Sequence, residues 1–240
     1  MYGRRARIGL IVPPTNTVME SEFHRMKPEE VSIHVARSIR ENPERSRPED
    51  IIKMSERVAE AAQRVAQAEV GVTVWGCTSG SFLKGVGFDK ALIQEIEAAT
   101  GIMGLTTSTA VLEALNEFSL KKVAVATPYI EPINKRLQVF LEGNGIQITR
   151  LKGLQLDGPH KISRQPPSSS YNLAKEVNSS EADGIFISCT DFRTIDIIER
   201  LEEELNKPVV SSNQASMWAA LNRVRIMDTI KGYGSLLARK

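Results

Sequence analysis

Trp75–Ser81 reads WGCTSGS and Ile187–Thr194 reads ISCTDFRT. In both stretches a short apolar, β-branched run goes straight into Cys-Thr and then into small polar residues. That is how a buried parallel strand ends before a helix or turn. Working outward, the two segments anchor two sets of four such runs that match in order. The first set is Arg7–Val12, Val31–Ala36, Val70–Trp75 and Ile102–Thr106. The second is Lys122–Ala126, Ile146–Leu151, Gly184–Ser188 and Pro208–Ser212. Amphipathic stretches lie between them, among them Ile51–Ala68, Lys90–Thr100 and Ile195–Asn206, so the chain reads as βαβ units.

Each half opens with a strand that ends in a proline turn, IVPPTNT (Ile11–Thr17) and VATPYIEP (Val125–Pro132). Each fourth strand ends in hydroxyl or amide residues before a helix, LTTSTAVLEAL (Leu105–Leu115) and VSSNQASMWAAL (Val210–Leu221). Asn16 to Cys77 spans 61 residues, Tyr129 to Cys189 spans 60, and the cysteines lie 112 apart. A repeat of that length exceeds a solenoid unit. It predicts an α/β fold of two similar lobes facing each other, each with a four-stranded parallel sheet. Ligands of open parallel sheets bind outside the carboxyl ends of the strands, where all six marked turns fall. Cys77 and Cys189 are then expected to meet in one cleft from opposite sides.

The 240 residues carry 31 Lys+Arg against 29 Asp+Glu, a net charge of +2, which predicts no nucleic-acid partner. Two cysteines make no disulfide scaffold, and neither they nor the scattered His24, His34 and His160 have zinc-ligand spacing. The apolar run Ile8–Val12 is too short for a signal peptide, and no run reaches membrane-spanning length. The expectation is a cytoplasmic protein with reduced thiols and no membrane partner.

A thiol at a strand end before a helix is expected to have a lowered pKa, and the thiolate is the reactive form. Thr78 and Ser79 after Cys77, and Thr190 after Cys189, offer donors for carboxylate oxygens. Asn16, Tyr129, Thr107, Ser108, Ser212 and Asn213 are expected to ring the same cavity. One thiolate can remove an α-proton while the opposite thiol delivers one, which is racemisation. Alternatively a thiolate adds to an activated double bond, and rotation with elimination gives cis–trans isomerisation. Decarboxylation needs a single thiol. A lone buried cysteine is most often a small hydrophobe, but two at equivalent places in a repeat, each followed by Thr, favour a paired role. Asn16, Ser212 and Asn213 also read as helix caps, and Tyr129 as a packing aromatic.

These residues resemble the Asp/Glu racemase superfamily, in the branch that holds maleate cis–trans isomerases and arylmalonate decarboxylases. The resemblance runs over nearly the whole chain, through IGLIVPPTNT, GCTSGSF, TTSTAVLEAL, ATPYIEPINKRLQVFLE, ISCTDFRTID, PVVSSNQASMWAAL and GYGSLL. It implies two Rossmann-like lobes with the active site between them, no metal and no organic cofactor. It also implies a last helix that returns to the first lobe. The lobes are expected over residues 1–115 with 214–240, and over 116–213. Cys189 matches the cysteine of isomerases and decarboxylases alike. Cys77 matches the first cysteine of racemases and isomerases, where arylmalonate decarboxylases carry glycine. Thr78, Ser79, Tyr129 and the Thr190 N–H match carboxylate-cradling residues of the decarboxylases, and Asn16 with Tyr129 matches polar residues of the isomerases. Two features depart from the isomerase pattern. LQLDGPHKIS (Leu154–Ser163) offers no asparagine where isomerases have one, with His160 a stand-in or a surface histidine, and TTSTAVLEAL is closer to the decarboxylases.

Two loops are expected to set the substrate. Arg37–Asp50 (RSIRENPERSRPED) holds four arginines balanced by four acids and reads as a solvated loop or a lid. As a lid, Arg37 or Arg40 would clamp a second carboxylate. Asp157–Tyr171 reads as a second loop closing from the other lobe. Pro14, Arg37, Thr107 and Ser212 complete the candidate site. The substrate is expected to be a small carboxylic or dicarboxylic acid, and a homo-oligomer is left open. The readings in competition are a two-thiol isomerase or racemase, a malonate-type decarboxylase using Cys189 alone, and a non-catalytic two-lobed binding protein.

Overall fold

The computed structural model describes residues 2–239. The first half runs β1 (Ala6–Val12), α1 (Met19–Met26), β2 (Val31–Arg37), α2 (Pro48–Ser55), α3 (Val58–Ala66), β3 (Val72–Trp75), α4 (Thr78–Phe82), α5 (Phe88–Thr100), β4 (Met103–Thr106) and α6 (Thr107–Glu117). The second runs β5 (Lys122–Thr127), α7 (Glu131–Gly143), β6 (Gln147–Gly153), α8 (Pro159–Ser163), α9 (Pro167–Val177), β7 (Gly184–Ile187), α10 (Ile198–Leu205), β8 (Val209–Ser211), α11 (Ser212–Arg223) and α12 (Ser235–Ala238). The strands form two parallel sheets, ordered β2-β1-β3-β4 and β6-β5-β7-β8. The order is the same in both, so the sequence repeat is a repeat of topology.

Helices cover the sheets, which is why the central strands are mostly apolar rather than alternating. β3 (VTVW) and β7 (GIFI) are buried at every position. The sheets end at the marked turns, so the carboxyl ends of β1, β3, β5 and β7 supply the cleft. The helices that follow the fourth strands start alike: Thr106 Oγ1 accepts from Thr109 N, and Ser211 Oγ accepts from Gln214 N. These equivalent helices, α6 and α11, pack on each other, and Ser216 Oγ donates to Thr107 Oγ1 at 3.2 Å across the contact.

Two expectations about local structure are corrected. Ile51–Ala68 is not one helix: it breaks between Ser55 and Val58, where Arg57 leaves helical geometry (φ −104°, ψ 17°). The halves serve different partners, α3 lying on β1, β2 and α5 while α2 packs on α4. Fully buried Ser55 turns its hydroxyl back to Ile51 O at 2.9 Å. Asp157–Tyr171 is not a loop but α8 and the start of α9. Pro159 and Pro167 sit in the first turns, where a missing N–H costs nothing. Among the described residues no helix is long and apolar enough to cross a membrane.

Candidate active site

The cleft holds a cavity of about 500 Å³, part of it open to solvent, between the two sets of strand ends. Its lining includes Asn16, Cys77, Thr78, Ser79, Tyr129, Cys189 and Thr190. The structure therefore brings both cysteines and five of the expected substrate-binding residues to one surface.

Cys77 is the N-cap of α4, and its sulfur accepts from Gly80 N at 3.3 Å, with Ser79 Oγ at 3.8 Å. Gly80 is required here, because a Cβ would lie 2.9 Å from the Cys77 sulfur and 2.7 Å from Ser55 Oγ. Cys189 is held differently. Its φ is +103°, a region that non-glycine residues rarely occupy. Its N–H donates to Ser212 Oγ at 3.0 Å, and the same oxygen accepts from Thr78 Oγ1 at 3.0 Å. Strain of this kind persists only where the surroundings over-determine it.

The expected lowering of both thiol pKa values does not occur. Cys77 and Cys189 are only 6% and 9% exposed, and burial pushes both up. α4 has only five residues, and no helix starts after Cys189 until Ile198, so dipole assistance is too weak to win. The two thiols nevertheless differ. Gly80 N–H, the Ser79 hydroxyl and the Arg40 charge act to lower Cys77. At Cys189 burial is joined by the negative charge of Asp191, which raises it further, against weaker lowering by the Asp191 N–H and the Tyr129 hydroxyl.

Asn16 and Thr190 tie the lobes together. Asn16 Oδ1 accepts from Val18 N and Met19 N at 3.0 Å, and Nδ2 donates to Thr190 Oγ1 at 3.1 Å. Thr190 Oγ1 donates in turn to Gly76 O at 3.1 Å. Thus the capping role and the cleft position of Asn16 are the same arrangement. The Tyr129 hydroxyl accepts from Ser188 Oγ at 3.3 Å, its ring meets Phe82 edge-on at 6.3 Å, and burial raises its pKa.

Six expected residues do not line the cavity. Thr107 is buried beneath it and donates to Trp75 O at 3.2 Å. Ser212 supports Cys189 and Thr78 from behind, and Asn213 Nδ2 donates to Glu22 Oε2 at 2.6 Å. Pro14 lies between two residues that do line it, Pro13 and Thr15. Arg37 is turned away, pairing with Glu20 at 2.9 Å and donating to Asn16 O at 2.8 Å, so it braces the turn instead of clamping a substrate. Ser108, a further hydroxyl expected at the rim, is likewise internal, hydrogen-bonded to Ser81. His160 is on the surface.

Arg40 takes the place offered to Arg37. It lines the cavity, its NH2 donates to Arg45 O, and its buried Nε has no partner among the described residues. Both segments expected to set the substrate reach the cavity, Arg40 and Ser46 from one and Pro159 and Ile162 from the other, with Ile51 and Met54 of α2 beside them. They touch where Ser46 N donates to Asp157 Oδ1 at 3.0 Å. Asp191 also lines the cavity, a residue the sequence reading passed over although it stands two places after Cys189. Among the described residues no three His, Cys, Asp or Glu side chains are grouped to hold a metal ion.

The arylmalonate decarboxylase family model matches residues 8–237. The chain belongs to the arylmalonate decarboxylase family. It is 32% identical over 216 residues to arylmalonate decarboxylase of Bordetella bronchiseptica, covering 89% of this chain and 88% of that one. It is also 27% identical over 248 residues to maleate isomerase of Alcaligenes faecalis, covering 97% and 96%. A Nocardia farcinica maleate cis–trans isomerase, solved as a cysteine-to-serine mutant with a covalently bound succinylcysteine intermediate, superposes with a TM-score of 0.92. That likeness holds at 22% identity over 97% of this chain and 98% of the other, and shows the fold. Within the family, this chain is a two-lobed α/β protein with two free thiols in one cavity.

Proposed function

We propose that the protein is a cofactor-independent isomerase or racemase of a small carboxylic acid, worked by Cys77 and Cys189. The observation that carries this reading is that both thiols of the chain line one cavity from different lobes. Cys77, with its N–H and hydroxyl donors and the nearby Arg40, is the one that ionises. Cys189 holds its proton and acts as the acid.

On an unsaturated diacid, the Cys77 thiolate adds to one alkene carbon to form a C–S bond, and the π electrons move to the other carbon. Cys189 protonates that carbon, the former double bond rotates, the Cys189 thiolate takes a proton back, and the C–S bond breaks. Cys77 is regenerated and the product is the trans acid. A succinylcysteine, the intermediate seen in the Nocardia enzyme, is the adduct this route forms from maleate. On an acid with an α-hydrogen, Cys77 removes the proton and Cys189 delivers one to the opposite face. Thr78, Ser79, Tyr129, Asn16 and Thr190 hold the carboxylate near the thiols, and Arg40 faces a second carboxylate.

Decarboxylation is the second reading, favoured by the 32% relative and by the apolar wall of Ile51, Met54, Ile133 and Ile162. It asks only that Cys189 protonate the carbanion left by carbon dioxide. The lobes are taken as residues 1–115 with 214–240 and residues 116–213, a division supported by the packing of α11 on α6, β3 and β4. The free thiols suit a reducing compartment, and we place the protein in the cytoplasm. The test is a panel of maleate, arylmalonates and α-substituted acids in heavy water, read by NMR and mass spectrometry. Fumarate from maleate, or deuterium entering an α-position, supports the first reading. Carbon dioxide from arylmalonates alone replaces it with the second.

A further inference from the structure

Asp191 is a buried carboxylate in a cavity lined for acids, and the two-thiol route gives it no task. It is 6% exposed. Its Oδ1 accepts from Thr17 N at 3.0 Å, across the lobes, which fixes the side chain. Its Oδ2 is buried and has no hydrogen-bond partner among the described residues, although the residue lines the cavity. An ionised oxygen left so is unfavourable unless a partner arrives. The charged and titratable groups around it are Glu22 of α1, Arg37 at the end of β2, and the two thiols. Glu22 and a thiolate oppose a negative Asp191; the Thr17 and Val18 N–H groups and the Arg37 charge favour it, and burial outweighs them. Burial already lifts the carboxyl to about 7 in the ligand-free protein. A second anion, the substrate, then enters the same cavity and pushes in the same direction.

We propose that Asp191 is a hydrogen-bond donor of the acid site: with an anionic substrate in place its carboxyl is protonated, and Oδ2 gives its hydrogen to the substrate. This rests on the acid-binding reading above and adds a consequence to it. Binding takes up one proton, and the site closes to anions as the pH rises. It also removes a negative charge that, next to burial, holds the Cys189 proton, so donation of that proton to the substrate becomes easier once substrate is bound.

The test is calorimetric binding of maleate and of phenylmalonate between pH 6 and 8.5, in buffers of different ionisation enthalpy. The Cys77→Ala/Cys189→Ala double variant serves as the host, non-reacting under either reading. The expected result is uptake of up to one proton at slightly alkaline pH, with affinity falling roughly tenfold per pH unit above the Asp191 midpoint. In the same host, Asp191→Asn abolishes the uptake and flattens the pH profile. Binding without proton uptake, or uptake unchanged by Asp191→Asn, overturns the proposal. So does selective tight binding of an ammonium-bearing acid that Asp191→Asn destroys, because Oδ2 would then be an acceptor. If neither acid binds, the acid-binding reading itself fails. Carbon-13 titration of the aspartate carboxyls of the ligand-free protein then decides separately. An Asp191 signal titrating near neutrality keeps the neutral carboxyl, and one titrating near 4 discards it. That titration and the buffer dependence need no Asp191 variant, so poor folding of Asp191→Asn leaves the question decidable.

Discussion

The Cys189 amide donates to the Ser212 hydroxyl oxygen at 3.0 Å, holding a cysteine whose φ is +103°. Ser212 also accepts from Thr78 Oγ1, so one hydroxyl in the second repeat fixes a residue beside each thiol. Ser212→Ala leaves two buried donors without an acceptor, at roughly 1–3 kcal/mol. The expected outcome is a lower melting temperature together with a kcat loss larger than the change in KM, because Ser212 positions the thiol and does not line the cavity. A KM effect alone speaks against this role.

Gly80→Ala tests the support of the other thiol. Its Cβ would sit 2.9 Å from the Cys77 sulfur and 2.7 Å from Ser55 Oγ, so the Gly80 N–H must retreat. Cys77 then loses its main stabilising donor and its pKa rises further. The check is the pH dependence of iodoacetamide alkylation, with Cys77 reacting more slowly at neutral pH than in the unaltered protein.

Arg40 decides between two classes of acid. Its cavity position and unpartnered Nε suit a second carboxylate. Arg40→Gln is expected to raise KM for a dicarboxylate by roughly 10- to 100-fold, the range of one charge-assisted contact. KM for a monocarboxylate should be almost unaffected, while kcat falls for both because the Arg40 charge also favours the Cys77 thiolate. Arg37→Gln instead should act through the turn it braces, lowering stability with no such discrimination.

Glu22 links the lobes through Asn213 Nδ2 and Thr194 N, and burial lifts its carboxyl to about 7. A carboxyl raised in the folded state contributes stability that is fully present below its unfolded pKa and is lost as the pH rises through 7. Glu22→Gln cannot ionise. Comparing denaturant unfolding of the two proteins from pH 5 to 7.5 should show the unaltered protein losing roughly 1–3 kcal/mol relative to the variant. A constant difference across that range contradicts the assignment.

The repeat made the fold readable. Cys-Thr after β3 and β7, and hydroxyl caps after β4 and β8, recur because equivalent strand ends need equivalent caps. Those same residues located the cavity. What escaped was anything set by tertiary partners. Arg37 and Arg40 look alike in sequence, yet β2 runs through Arg37 and pins it to Glu20, while Arg40 lies beyond the sheet. Asp157–Tyr171 reads as a loop, although prolines such as Pro159 and Pro167 also begin helices. The break at Arg57 follows from α2 and α3 packing on different elements, which no periodicity records. The thiol pKa values went against the helix-dipole argument because burial outweighed it, and burial is a property of the closed cleft. Asp191 carries no signal of its own in the sequence, because its burial and its place in the cavity are set by the tertiary structure.

The measurement that bears most directly on the central claim is turnover of the acid identified by the panel, using Cys77→Ala and Cys189→Ala separately. A two-thiol isomerase or racemase loses activity by several orders of magnitude in both variants, while circular dichroism shows the fold retained. Full activity in Cys77→Ala, with loss only in Cys189→Ala, would contradict the paired mechanism and leave a single-thiol enzyme.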